Sequence, residues 1–177
     1  MKYLLSFATA ACAIFGLTVF GFTVWAQTSP PANSTGQKGT TITDRASGPF
    51  EVKITPQKAD KKEAEAAGLS RMSGDKQYHG DLEATGYVEM LATSATAPRS
   101  GAYVALERVA GKLKGRSGSF TLCHTGIMNR GTPELTIQIV PDSGTGELTG
   151  LSGTMKINIA AGGKHSYEME YVLPEKR

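Results

Sequence analysis

The stretch GAYVALERVAGKLKGRSGSFTLCHTGIM, residues 101–128, decides the fold. In its second half Phe120, Leu122 and His124 fall on one side of a period-2 pattern and Thr121 and Cys123 on the other, which marks a half-buried strand. Between the halves, Gly115-Arg116 suits a two-residue hairpin loop, because Gly at the first central position accepts the positive φ of a type II′ turn. With that turn, Lys114 faces Ser117, Gly111 faces Phe120, Val109 faces Leu122 and Glu107 faces His124. The apolar pairs then share one face. Glu107 and His124 become inward neighbours about 5.5 Å apart across the ladder.

The alternation continues in both directions. Phe50, Val52 and Ile54 share a phase, as do Leu82, Ala84, Gly86, Val88 and Met90. So do Leu135, Ile137 and Ile139; Met155, Ile157 and Ile159; and Tyr167, Met169, Tyr171 and Leu173. Eight strands are expected, near 49–56, 70–79, 82–93, 101–113, 117–128, 134–140, 151–160 and 166–173. Gly80-Asp81, Pro98, Gly131 and Gly162-Gly163 punctuate them. Residues 58–67, charged and Ala-rich, read as a short exposed helix. Short connections favour an antiparallel meander, and eight such strands can close on themselves and remove unpaired edges. The expected fold is all-β, a closed eight-stranded antiparallel up-and-down barrel, with a two-sheet sandwich as the alternative. Such a barrel has room inside for side chains or one small ligand.

The chain has 177 residues, enough for one core, with 21 Gly and a net charge of +3. That composition excludes a disulfide-framed miniprotein, a coiled coil and a multi-span membrane protein, and its scattered charge requires no anionic partner. Met1-Lys2 is followed by a charge-free, mostly apolar run to Trp25, and Val24-Trp25-Ala26 carries the pattern read by a signal peptidase. Residues 1–26 are therefore expected to be a signal peptide cleaved after Ala26, residues 27–47 a flexible tether, and residues 48–177 the barrel of an exported, periplasmic or extracellular protein. An uncleaved anchor is the competing reading, and only then does a membrane enter as a partner. Cleavage removes Cys12 and Trp25 and leaves Cys123 as the single cysteine.

The Glu107 and His124 pair is the candidate catalytic constellation. Burial raises a carboxylate's pKa unless a partner offsets it, and an imidazole is such a partner. The pair could move a proton or orient a polar ligand group; the bland reading is a buried structural ion pair. Tyr103, Phe120, Met90, Met155, Tyr167, Met169 and Tyr171 lie on inward phases, either as core or as the lining of an adaptable apolar pocket. His79, His124 and His165 sit singly on separate segments, so no metal and no cofactor is expected. Residues 144–150 are Gly-rich but precede a strand rather than a helix, so they read as a structural turn. No Gly-x-Ser-x-Gly elbow is present. Lys112, Lys114 and Arg116 form a basic tip without stacking aromatics, which speaks against nucleic acid. Cys123 faces outward with Arg108 across from it and reads as an inert thiol. The expected partners are a small apolar ligand and further copies of the chain.

Leu106 to Gly111, Gly115 to Phe120, His124-Thr125-Gly126, and Val140-Pro141 leading into Ser143 to Leu148 and Gly150-Leu151 carry a resemblance. Over residues 48–174 the chain resembles a bacterial domain family of unknown function that looks like a member of the allene-oxide-cyclase-like barrel group, to which the plant dirigent proteins also bear a likeness. The resemblance implies an eight-stranded barrel. Allene oxide cyclase isomerises a fatty-acid epoxide and dirigent proteins steer radical coupling, so it also implies a preformed barrel that holds a reactive apolar molecule.

Overall fold

The structure, a computed structural model, describes residues 43–59 and 61–174; the expected signal segment and most of the tether lie outside the described residues. The alternating runs become β1 (Asp44–Gln57), β2 (Leu69–Tyr78), β3 (Leu82–Ser94), β4 (Gly101–Leu113), β5 (Arg116–Asn129), β6 (Thr132–Ile139), β7 (Ser152–Ile159) and β8 (His165–Val172). Each pairs antiparallel with the next, and β8 returns to β1, so the sheet closes into an up-and-down barrel rather than a sandwich. Helix α1 (Lys62–Ala66) buries none of its residues and is the exposed insert that its charge suggests.

β1 begins four residues before the expected edge at Gly48. Asp44 lies opposite Tyr171 and the buried Ala46 opposite Met169, so 44–47 are barrel wall rather than tether. Their polar character hid this, because the pairing rests on β8 and only one small apolar side chain turns inward.

The hairpin between β4 and β5 corrects the expected register. Its central residues are Lys114 and Gly115, with φ of +46° and +82°, and Leu113 lies opposite Arg116. Two positive φ values make a type I′ turn, whose twist matches that of the flanking strands. Two neighbouring segments hold Lys114 in this conformation: the Lys114 N–H donates to the Asp81 carbonyl of the β2–β3 turn at 2.7 Å, and its Nζ pairs with Asp44 of β1 at 2.9 Å. The pairing therefore slides by two residues. Gly111 faces Gly118, Val109 faces Phe120, Glu107 faces Leu122, and His124 faces Ala105. A two-residue slide leaves every side chain on its own face. Arg108 is consequently opposite Thr121 rather than Cys123, and its guanidinium bonds Thr121 Oγ1, Ser119 Oγ and the Ser143 carbonyl.

The core fills the half of the barrel near this hairpin. Leu82, Leu113, Phe120 and Leu122 pack there with Leu148 and Leu151, which the long β6–β7 connection and its 3₁₀ turn at Gly146–Leu148 supply. The β6–β7 seam itself is thin, with Gln138 opposite Thr154 as its paired position.

Candidate functional site

Midway along the lumen, four polar side chains from three strands meet across the inside of the barrel. β4 brings in Glu107, β5 brings in His124, and alternate inward positions of β2 bring in Lys76 and Tyr78. All four are buried. The Lys76 ammonium donates to Glu107 Oε2 at 2.6 Å, and the Tyr78 hydroxyl donates to Oε1 at 2.7 Å. Lys76 also reaches the Tyr78 hydroxyl at 3.2 Å and lies 5.2 Å from the centroid of the Phe50 ring, a cation–π distance. His124 Nε2 is 3.0 Å from Oε2, but its N–H is not aimed along that line, so the nitrogen lacks an aligned hydrogen-bond partner.

Space for this knot comes from missing side chains. Gly86 of β3 lies against the Glu107 carboxylate, where a Cβ would overlap Oε1. Burial alone pushes the Glu107 pKa up, yet His124, Lys76 and Tyr78 outweigh it and hold the carboxyl below its ordinary value of 4.5. Burial first, and then the Glu107 charge, push the Tyr78 hydroxyl far above the usual phenol range. At neutral pH the centre is thus a lysine–carboxylate pair with a neutral phenol as second donor. A carboxylate held this way is a weak proton acceptor, because general bases work best with a pKa near the working pH.

Above the knot, toward the end away from the β4–β5 turn, lies a cleft of about 490 Å³. Met72, Met90, Tyr103, Ile127 and Leu135 line it, and Arg99 and Glu134 stand on its rim. The Tyr103 ring rests on Gly126, where a Cβ would overlap it. Its hydroxyl pKa is raised by burial and then by the Glu107 charge. The connection from β3 to β4 forms part of the rim: the Arg99 carbonyl accepts from the Gly131 N–H at 2.9 Å, and Ser100 Oγ accepts from the Arg130 N–H at 3.0 Å.

The candidate residues therefore divide. Glu107 and His124 come together, as diagonal rather than directly opposed neighbours. Met90 and Tyr103 line the cleft. Phe120, Met155, Tyr167, Met169 and Tyr171 are buried in the packed core instead. Two of these five have structural hydroxyls: Tyr167 accepts from the Leu82 N–H and donates to the His79 carbonyl, and Tyr171 donates to Asp44. Burial is the main cause that lifts Tyr167 to about 12, and it raises Tyr171 further. Sequence reading missed Lys76 and Tyr78. The available signal was their shared phase with Gly74, which puts a lysine on an inward position.

A family described as "Protein of unknown function (DUF3224)" matches residues 46–171. A solved structure from Shewanella oneidensis MR-1, described as a protein with unknown function from the same family, is 43% identical to this chain. The match covers 76% of this chain and 100% of that one, with a TM-score of 0.70. Among the curated proteins none matches. With the family match running across nearly the whole barrel, the chain belongs to the DUF3224 family.

Proposed function

We propose that the protein is an exported barrel that binds a small, largely apolar molecule at the open end of its lumen. The cleft between Met72, Met90 and Tyr103 carries this reading: it is of ligand size, mostly apolar, and rimmed by a few polar groups. Methionine and tyrosine suit an adaptable pocket, since one flexes to fill irregular space and the other offers a polar tip. The lumen below is filled by side chains, so the ligand belongs at the mouth. N-phenyl-1-naphthylamine, an uncharged fluorophore, tests this. Its emission should rise with saturation, and the melting temperature should rise with it, by about 2.7 kcal/mol of added stability at one hundred times the dissociation constant. Met90→Lys should abolish both effects while the far-UV spectrum stays unchanged. Failure of the wild type to bind, or equal binding by Met90→Lys, overturns the reading.

A second reading is an isomerase- or cyclase-like enzyme in which Glu107 and His124 move a proton. One observation favours it: His124 Nε2 is a buried ring nitrogen without an aligned partner, a group able to engage a ligand that displaces Tyr103. Against it stand the depressed Glu107 pKa and the absence of both residues from the cleft lining. Turnover of an apolar epoxide that is lost in Glu107→Gln, with binding of the fluorophore retained, would reverse the ranking.

A further inference from the structure

The outer wall of β3, β4 and β5 is divided along its length. Near the β4–β5 turn its outward positions carry Glu83, Arg108 and Lys112. Toward the open end the same strands expose Leu91, Val104, Leu106 and Ile127, with Cys123 among them. The register makes these residues contiguous: Leu91 lies opposite Val104, Leu106 opposite Cys123, and Ile127 opposite Ala102. A shallow groove of about 440 Å³ runs between Leu91, Val104, Leu106 and Cys123.

We propose that this face is where a second copy of the chain docks, the two faces packing on each other about a two-fold axis. Contact of one patch with the same patch is the isologous arrangement that closes as a dimer. With Leu69 beside them, the half-exposed aliphatic side chains present on the order of 500 Å² of apolar surface, and flanking Thr93, Ala102 and Thr125 bring the face toward the ~800 Å² per partner of a stable interface. Charge is compatible with self-contact. The two charged side chains lining the groove, Arg71 and Glu89, are of opposite sign and 3.6 Å apart, so apposing two copies sets a neutral margin against a neutral margin. The chain's own residues 27–42 are poor competitors, because Ile42 is their one large aliphatic side chain.

Sedimentation velocity over a hundredfold concentration range tests the proposal, on protein expressed from the full sequence and recovered as it matures in the cell. The expected result is a dimer for the wild type and for Ile159→Lys, a control at an exposed position on β7 away from the face. Leu106→Lys should associate at least tenfold more weakly. Where Leu106→Lys fails to give the wild-type far-UV spectrum, Leu106→Gln takes its place with the same readout. Alkylation of Cys123 by a maleimide, followed by peptide mass, should slow as the wild-type concentration rises. A monomer at every concentration, a dimer that Leu106→Lys leaves intact, equal weakening by Ile159→Lys, or attachment to lipid vesicles by an otherwise monomeric protein overturns the proposal.

Discussion

Leu106 and Glu107 are neighbours on β4, and each occupies the environment that the other's chemistry would choose. The leucine is 56% exposed on the outer wall, and the glutamate is 0% exposed in the lumen. Strand alternation fixes which side a residue faces, not the polarity of that side. The lumen accepts the carboxylate because Lys76 and Tyr78 donate to it, His124 stands beside it, and Gly86 leaves room. Without them, a buried ionised carboxylate would be far too costly. The outer wall accepts the leucine because exposing it costs the isolated barrel little. What needs explaining outside is the clustering of such residues, and a second copy supplies that explanation.

The sharpest way to break this contrast is to remove the interior acid. Glu107→Ala strands the Lys76 ammonium and takes away the acceptor of the Tyr78 hydroxyl, so the unfolding free energy should fall by about 3–5 kcal/mol in a urea titration. Replacing both ends of the pair, Lys76→Met with Glu107→Leu, should restore most of that loss, because an apolar pair of similar volume avoids stranding a charge. A double variant as unstable as the single one would mean that the knot does more than neutralise itself.

Next in size is the gap that admits the carboxylate. Gly86→Ala places a methyl group on Glu107 Oε1 and within 3.2 Å of the Tyr78 ring. Overpacking of this kind typically costs about 1–3 kcal/mol. In the Glu107→Ala background the penalty should shrink, since the atom it collides with has gone; unchanged additivity would place the strain elsewhere.

How much of this was legible in sequence follows from the same contrast. Period-2 alternation carried the eight strands and the inward placement of Glu107 and His124, because a strand cannot turn one side chain inward without turning its neighbours outward. The partner across the ladder was less legible. Gly-first and Gly-second two-residue turns differ by one residue in the loop and by two in pairing, and the choice here depends on Asp81 and Asp44, which are remote in sequence from Lys114. Lys76 was missed because a lysine usually marks a solvated face, and nothing local shows that a carboxylate two strands away awaits it. The division of the inward aromatics and methionines into cleft and core was hidden for a similar reason: which end stays open depends on Leu148 and Leu151 filling the other.

Acid should separate an interior carboxylate from an exposed one. The folded-state pKa of Glu107 is depressed, so its contribution to stability is fully present above the ordinary value of 4.5 and is lost as pH falls through the folded value. Asp44, held at about 2 by Lys114, the Arg45 N–H and Tyr171, has the same sign. Stability should therefore decline on acidification below about pH 4.5, with a shallower slope in Glu107→Gln. Molar salt should weaken the exposed Asp44–Lys114 contribution and spare the buried one. At the alkaline end the sign reverses. Tyr167, raised to about 12, favours folding fully below pH 10 and loses that contribution as pH rises toward 12. Its phenolate absorbance should then appear with unfolding rather than before it. A slope identical in wild type and Glu107→Gln would mean that the buried acid does not titrate on unfolding.

The smallest expected effect lies one residue from the largest. Leu106→Thr keeps a β-favouring side chain on an exposed strand position, so the stability of the isolated barrel, measured at a concentration where copies do not associate, should change by no more than about 0.5 kcal/mol. At high concentration the same variant should lose the extra stability that self-association lends the wild type, since binding of a second folded copy raises apparent stability by mass action. Together these outcomes would make the outer leucine an interface residue and the inner glutamate a folding residue. If Leu106→Thr instead destabilises the dilute barrel as much as Glu107→Ala does, the leucine belongs to the fold, and the division of labour between the two faces of β4 fails.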